Sequence, residues 1–335
     1  MSTKLLKGII IAAAAFMSLP TSAQDPEFSQ YYAAPLHLNP SLAGISYGPR
    51  INLNYRNQWP GIENAYSTYS VSYDQHVNAI NGGLGVSVMA DRVAGGLLNT
   101  YKADVMYAYQ VPLTKEYGLR FGAEIGYMHR SINWNDLTFR DQLDPLDQSN
   151  TPTTTEPKPD NLNKSILDFG AGAVFFTPKF FAGVGVQHLT QPKESFYDLE
   201  NDQVERLPIR TAVHMGGVIE LNKIRSKDYY LAPNALYIHQ GKFSQINVGT
   251  QLNLGYVFGG MWFRHTFENS DAIIANVGVN FDKWSLGYSY DFTISELSIA
   301  SGGAHEISLT LNLNEDNPLD PEDKASKLNC PVFLQ

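Results

Sequence analysis

The side chains that could do chemistry are present but dispersed. His305-Glu306 is half of a zinc-protease signature. The second histidine, one helical turn on, is missing, and the pair lies in an alternating, strand-like run. Ser289 is followed two residues later by Asp291, where a nucleophile elbow needs glycine. Gly170-Ala171-Gly172 and Gly82-Gly83-Leu84-Gly85 sit within strand-like segments and not at a strand-to-helix turn. They read as small lumen or close-packing positions rather than phosphate loops. The eight histidines (His37, His76, His129, His188, His214, His239, His265, His305) are scattered, and the only cysteine is Cys330. An internal disulfide framework or multi-cysteine metal site is therefore excluded. No catalytic residue, cofactor or metal is expected, and the chain reads as a non-enzyme.

Charged residues do follow a pattern. Along 284–293, Trp284, Leu286, Tyr288, Tyr290 and Phe292 alternate with Ser285, Gly287, Ser289, Asp291 and Thr293. The same period of two, the signature of a strand with unlike faces, recurs at about 49–59, 65–76, 82–93, 97–111, 117–136, 163–176, 179–189, 207–221, 229–240, 245–257, 261–267, 271–281, 284–293 and 304–313. Most of these segments exceed the ~5–6 residues usual in soluble sheets and suit the ~9–11 of a tilted membrane strand. By alternation, Arg56, Asp74, Asp91, Asp104, Glu124, Asp168, Arg264, Asp291 and Glu306 share the polar face. In a barrel that face is the lumen, because an arginine on the lipid face at mid-depth costs ~2–4 kcal/mol. Mixed signs leave two readings open, a lumen filled by ion pairs and a pore lining.

Connections alternate in length. Long ones, 137–162 and 190–206, follow odd strands, whereas tight ones such as Thr177-Pro178-Lys179, Phe258-Gly259-Gly260 and Asp282-Lys283 follow even strands. Short periplasmic turns and longer external loops are the rule for outer-membrane barrels. Composition agrees. The 335 residues are 43% hydrophobic and 12% aromatic but only 17% charged, against ~25% in soluble domains. No run of ~20 apolar residues offers a membrane helix, and the net charge of −9 disfavours nucleic acid as a partner. The expected fold is all-β, a transmembrane antiparallel β-barrel of about 14 strands over 49–313, with outer-membrane lipid around it. Tyr47, Trp59, Tyr66, Tyr117, Trp134, Tyr229, Trp262 and Trp284 are expected in its interfacial girdles.

Three segments lie outside this pattern. Residues 1–23 read as a secretory signal peptide: Lys4 and Lys7, an apolar run from Gly8 to Leu19, then Thr21-Ser22-Ala23. Residues 24–48, with three prolines and several aromatics, are expected to form an ordered, non-helical periplasmic or lumen segment. Residues 314–335, carrying Cys330, are expected to be a periplasmic tail.

Several blocks carry a family resemblance. Gln24–Gly44 resembles the opening signature of the PorP/SprF outer-membrane proteins, and Tyr55-Arg56-Asn57-Gln58-Trp59-Pro60 resembles the next block. The similarity continues in order through Ser72-Tyr73-Asp74, Gly82–Gly85 with Asp91-Arg92, His188–Pro192, Gly287–Asp291, Gly302–Leu309 and Cys330–Phe333. The candidate partner-binding or structural residues are Phe28, Tyr31, Tyr32, Asn39, Pro40, Arg56, Trp59, Asp91, His188, Asp291, His305 and Glu306. The resemblance implies a 14-stranded barrel of the type IX secretion and gliding-motility apparatus. Such a barrel would support secretion of an adhesin with a type B C-terminal sorting domain and anchor it at the cell surface. It would also link to a periplasmic peptidoglycan-associated or motor-linked protein. The alternative function is a passive channel for small solutes.

Overall fold

The computed structural model describes residues 25–46, 48–62, 66–114, 116–142, 154–197, 206–224, 227–267, 272–281, 283–294 and 302–313. The expected signal peptide and the expected C-terminal tail with Cys330, like Tyr47, lie outside the described residues. The strands are β1 (Arg50–Gln58), β2 (Tyr66–Val77), β3 (Gly82–Val93), β4 (Leu98–Pro112), β5 (Gly118–Ile132), β6 (Asn163–Phe176), β7 (Phe180–Gln187), β8 (Arg210–Gly217), β9 (Ile219–Ile224), β10 (Lys227–Gln240), β11 (Phe243–Leu254), β12 (Val257–Thr266), β13 (Ala272–Asn280), β14 (Trp284–Thr293) and β15 (Ala304–Asn312). No helix among the described residues is long and apolar enough to cross a membrane.

Each strand pairs antiparallel with its neighbours, and β15 returns to β1 with Tyr55 opposite Ile307. β8 and β9 are two halves of one stave. Both pair with β10, through Asn234–Gln240 and Lys227–Leu231 respectively, while the other edge of β10 pairs with β11. The result is a closed barrel of 14 staves. Closure through β1 and β15 joins the two ends of the sheet, as a bilayer core without water requires, while β9 pairs on one edge only, with β10. The expected strand at 207–221 is thus interrupted at Val218, which hydrogen-bonds Lys179 O at 2.8 Å, and a bulge at Tyr229/Tyr230 accompanies the break.

Burial is inverted relative to a water-soluble protein. Val105 and Val277 are 60% and 62% exposed on the outer wall, while Arg120 and Glu306 are 1% and 0% exposed inside. Every charged residue expected on the polar face is buried. All the long connections, 59–65, 133–162, 188–209 and 294–303, lie at one end, here called the long-loop end. That end also carries the tight connections 94–97 and 241–242. Among the described residues the other end carries the short turns 78–81, 177–179 and 255–256.

Three sequence expectations are corrected. Phe258-Gly259-Gly260 lies inside β12, and the tight turn is Gly255-Tyr256, where Gly255 takes the left-handed conformation (φ +80°). The segment 117–136 leaves the sheet at Ile132, and Trp134–Asp136 form a 3₁₀ turn. Trp262 is buried in the lumen rather than placed in a girdle, because β12 puts Phe258, Trp262 and Arg264 on its inner face.

Candidate functional site

The inner wall places charges opposite one another at strand-pairing distance, and the first described residues of the chain come to meet them. Arg56 on β1 faces Glu306 on β15 in register. Its guanidinium lies 3.1 Å from Glu306 and 2.9 Å from Asp291 on β14, and Arg264 on β12 is 2.8 Å from the same Asp291 oxygen. Ser29 sits at the centre. Its N–H donates to Glu306 at 2.7 Å, its hydroxyl donates to Asp291 at 2.7 Å, and it accepts from Arg264 at 2.6 Å. The Gln30 N–H donates to the other Glu306 oxygen at 2.9 Å. Two cations, two carboxylates and two backbone donors thus meet in one buried network at the floor of a cavity. That is the condition under which buried charges are tolerated.

Below this network the segment packs aromatic rings against β10, β12 and β13. The Tyr31 hydroxyl donates to Asn234 Oδ1, which also accepts from Trp262 Nε1 at 2.7 Å. Tyr32 stacks on Trp262 with centroids 5.7 Å apart, and its hydroxyl accepts from Asn276. Phe28 meets the His37 ring edge-on at 5.4 Å. His37 Nε2 lies 3.0 Å from Pro26 O, to which its N–H donates.

A helical turn at Pro35–Leu38 and a 3₁₀ turn at Pro40–Leu42 carry the chain across the lumen. Pro35 and Pro40 occupy first-turn positions, where a missing N–H costs nothing. Asn39 joins the turns. Its Oδ1 accepts from the Ser41 N–H at 2.9 Å and hydroxyl at 2.7 Å, and its amide contacts Ala173 O at 3.3 Å and His214 Nε2 at 3.0 Å. The wall beneath is a cross-strand row of small residues in register: Gly83, Ala108, Gly122, Gly172, Gly185 and Ala212. A Cβ at Gly83, Gly122, Gly172 or Gly185 would collide with residues 38–44. Arg120 ties the chain down, donating to the carbonyls of Ser41 (3.1 Å) and Ala43. Gly44, at φ +64°, donates its N–H to Asp74 at 2.8 Å, and Arg50 holds Asp74 at 3.0 Å.

At the long-loop end the start of the segment is clamped. Asp25 lies 2.5 Å from His188 Nε2, and Asp168 lies 2.8 Å from His188 Nδ1. Burial opposes charge on this imidazole, but the Asp25 carboxylate and the contacts to Asp168 outweigh it and raise its pKa to about 9. Arg210 holds Glu27 at 2.7 Å, and Lys102 lies 2.9 Å from Glu124 and 3.2 Å from Asp104. Residues 25–46 therefore fill the lumen, entering near the long-loop end and leaving into β1 at the short-turn end. They do not present themselves to the periplasm, one of the two positions expected for 24–48. Above them a vestibule of about 410 Å³ is bordered by Asp25, Glu27, Trp59, Tyr66, Asp91 and Phe243 among others.

The fold brings eleven of the sequence candidates to this lumen and its vestibule: Phe28, Tyr31, Tyr32, Asn39, Pro40, Arg56, Trp59, Asp91, His188, Asp291 and Glu306. Trp59 sits at the rim in a left-handed conformation (φ +59°), its N–H bonded to Gly303 O at 2.7 Å. His305 does not join them. One residue from Glu306 it points outward, 2.8 Å from the Tyr288 hydroxyl. Sequence reasoning missed Arg120, Arg210 and Asn234. Inward parity was the available signal, and for Arg120 a glycine two residues along the same face.

The chain matches the family model for "Type IX secretion system membrane protein PorP/SprF" over residues 21–311. It belongs to the PorP/SprF family. It is thus a secretion-system barrel of the outer membrane, where short turns face the periplasm and long loops the exterior. The vestibule accordingly opens outward. No curated protein matches the chain in sequence. Among solved structures it is similar to the Acinetobacter baumannii outer membrane protein Omp33 (11% identity, 80% of this chain and 99% of that one, TM-score 0.44). It is also similar to a Pseudomonas aeruginosa FadL homologue (10% identity, 79% and 90%, TM-score 0.42).

Two outcomes follow from this geometry. Gly172→Ala, which drives a methyl into Asn39, is expected to cost about 1–3 kcal/mol and to expose residues 26–44 to protease. Gly259→Ala, which meets only ordinary contact at 3.4 Å, should stay within about 0.5 kcal/mol. Both are checked by melting the folded barrel in detergent. The His188 clamp contributes fully below the ordinary histidine pKa of 6.5 and loses its contribution as pH rises through about 9. The melting temperature of the wild type should therefore fall between pH 7 and 9.5, and His188→Gln should flatten that decline.

Proposed function

We propose that this barrel supports secretion of an adhesin with a type B C-terminal sorting domain and holds it at the cell surface, while its periplasmic side links to peptidoglycan-associated or motor-linked components. The observation that carries this reading is that the chain's own N-terminal segment occupies the lumen and leaves a blind vestibule facing outward. A filled barrel is a rigid holder. A solute channel needs a continuous aqueous path, and Ser29, Leu36, Asn39 and Leu42 lie buried across it. Family membership supplies the secretion-system setting. The long connections 133–162 and 188–209 are the surfaces available to a folded outer partner.

The test is a comparison of two in-frame deletions in the native host, with surface adhesin measured by antibody labelling and release into the medium. Deleting 26–44 should abolish barrel assembly or adhesin display, whereas deleting 150–158 should leave most of the display intact. Purified wild-type barrel should show no single-channel conductance. Equal tolerance of both deletions, or a steady conductance from folded protein, would contradict the reading.

A further inference from the structure

The vestibule has an unbalanced wall. Each cation that borders it already holds a carboxylate: Arg56 and Arg264 hold Asp291, Lys102 holds Glu124, His188 holds Asp25, and Arg130 holds Glu194. Of the bordering carboxylates, Asp25 and Glu27 are likewise paired, Glu27 with Arg210. Asp91 differs. Among the described residues no cation lies within 4.0 Å of it; Arg130, two strands away on the same row, acts on it only from longer range and is itself bonded to Glu194, and the hydrogen bond Asp91 makes is from the Thr68 hydroxyl to Oδ1 at 2.7 Å. Its side chain belongs to a residue only 8% exposed, and it borders the cavity. A carboxylate taken this far from water is costly unless a cation or further donors reach it.

Its surroundings have the shape of a receptor for a long cationic side chain. Thr68 and Thr100 flank Asp91 on the neighbouring strands, and one row nearer the mouth Tyr66, Val93 and Leu98 lie in register. Met89 sits two residues deeper on the same face of β3. At the rim Trp59 and Tyr66 meet edge to face, 5.4 Å apart. Methionine and aliphatic side chains suit a methylene stem, and aromatic faces at the mouth suit a passing cation. The free Asp91 oxygen and two hydroxyls can accept from an ammonium group, which carries three donors and no acceptor.

We propose that Asp91 and this wall receive a lysine side chain of the protein held at the outer face. The assignment rests on the anchoring role proposed above and specifies its chemistry. A lysine would give a direct ion pair to the one carboxylate bordering the vestibule that, among the described residues, has no cation within 4.0 Å.

The titration uses the full-length barrel in detergent micelles and two probes, acetyl-Gly-Lys-Gly-amide and its norleucine counterpart, followed by saturation-transfer NMR. The lysine peptide should bind about ten-fold or more tightly than the norleucine peptide, the ratio expected when a buried charge-assisted bond is gained. Asp91→Asn should remove the preference while keeping the heat-modifiable gel mobility of a folded barrel. Met89→Lys, which supplies the cation internally, should abolish lysine-peptide binding and raise the melting temperature. Equal binding of the two peptides, or a preference that survives Asp91→Asn, would overturn the assignment. Free cadaverine binding as tightly as the peptide, with normal adhesin display in Asp91→Asn cells, would make this a small-cation site and overturn it too. Adhesin display unchanged by deletion of the whole gene would remove the anchoring role, whereas the titration reports on the site itself.

Discussion

The controlling constraint is that a barrel wall in lipid must turn its charges inward, and those charges must then be satisfied without bulk water. Arg56, Arg264, Asp291 and Glu306 cannot all be met by the wall alone, because Glu306 presents two oxygens and Asp291 faces two guanidinium groups. The backbone of Ser29 and Gln30 provides the missing donors. At the opposite end Arg120 and Asp74 fulfil the same need against Ala43 and Gly44. The N-terminal segment is therefore part of the interior of the barrel, in the way that a hydrophobic core is part of a soluble domain. Removing one partner from such a network leaves an uncompensated buried charge, typically a loss of several kcal/mol.

Steric fit follows from the same arrangement. Inward positions on the strands nearest residues 38–44 are glycine or alanine, and the row runs in register across six strands from Gly83 to Ala212. The wall is thin where the segment's backbone lies against it. Where the segment carries large rings, at Tyr31 and Tyr32, the wall answers with Trp262 and the amides of Asn234 and Asn276. Lumen and segment are complementary along their length. For this reason the aromatic count divides between a lipid-facing wall and a packed interior.

Much of this was legible in the sequence because strand alternation has a period of two and admits little ambiguity. The inward set from Arg56 to Glu306 and the long connections gathered at one end follow from it. Two kinds of feature were not legible. Parity places a residue on a face but does not say what fills the lumen, so the polar face could be read as a filled interior or as a pore lining. Misplaced strand ends also matter: putting the β11–β12 turn at Phe258–Gly260 left Trp262 at a strand end and so in the girdle, whereas the turn at Gly255-Tyr256 sets it within β12, on the same inward face as Arg264. His305 illustrates the opposite case. It lies within a family block and beside Glu306, yet alternation alone carries it to the outer wall.

A barrel closed from within has consequences for its part in secretion. Its rigidity comes from contacts between the segment and nearly every stave, and its outer mouth ends in a lined vestibule rather than a passage. Amide hydrogen exchange of the folded barrel measures the central claim most directly. If residues 28–44 are interior structure, the amides of Ser29, Gln30, Ser41 and Gly44 will exchange as slowly as those in the middle of β4 and β5. Exchange of these amides within seconds, while the strands remain protected, would contradict the account.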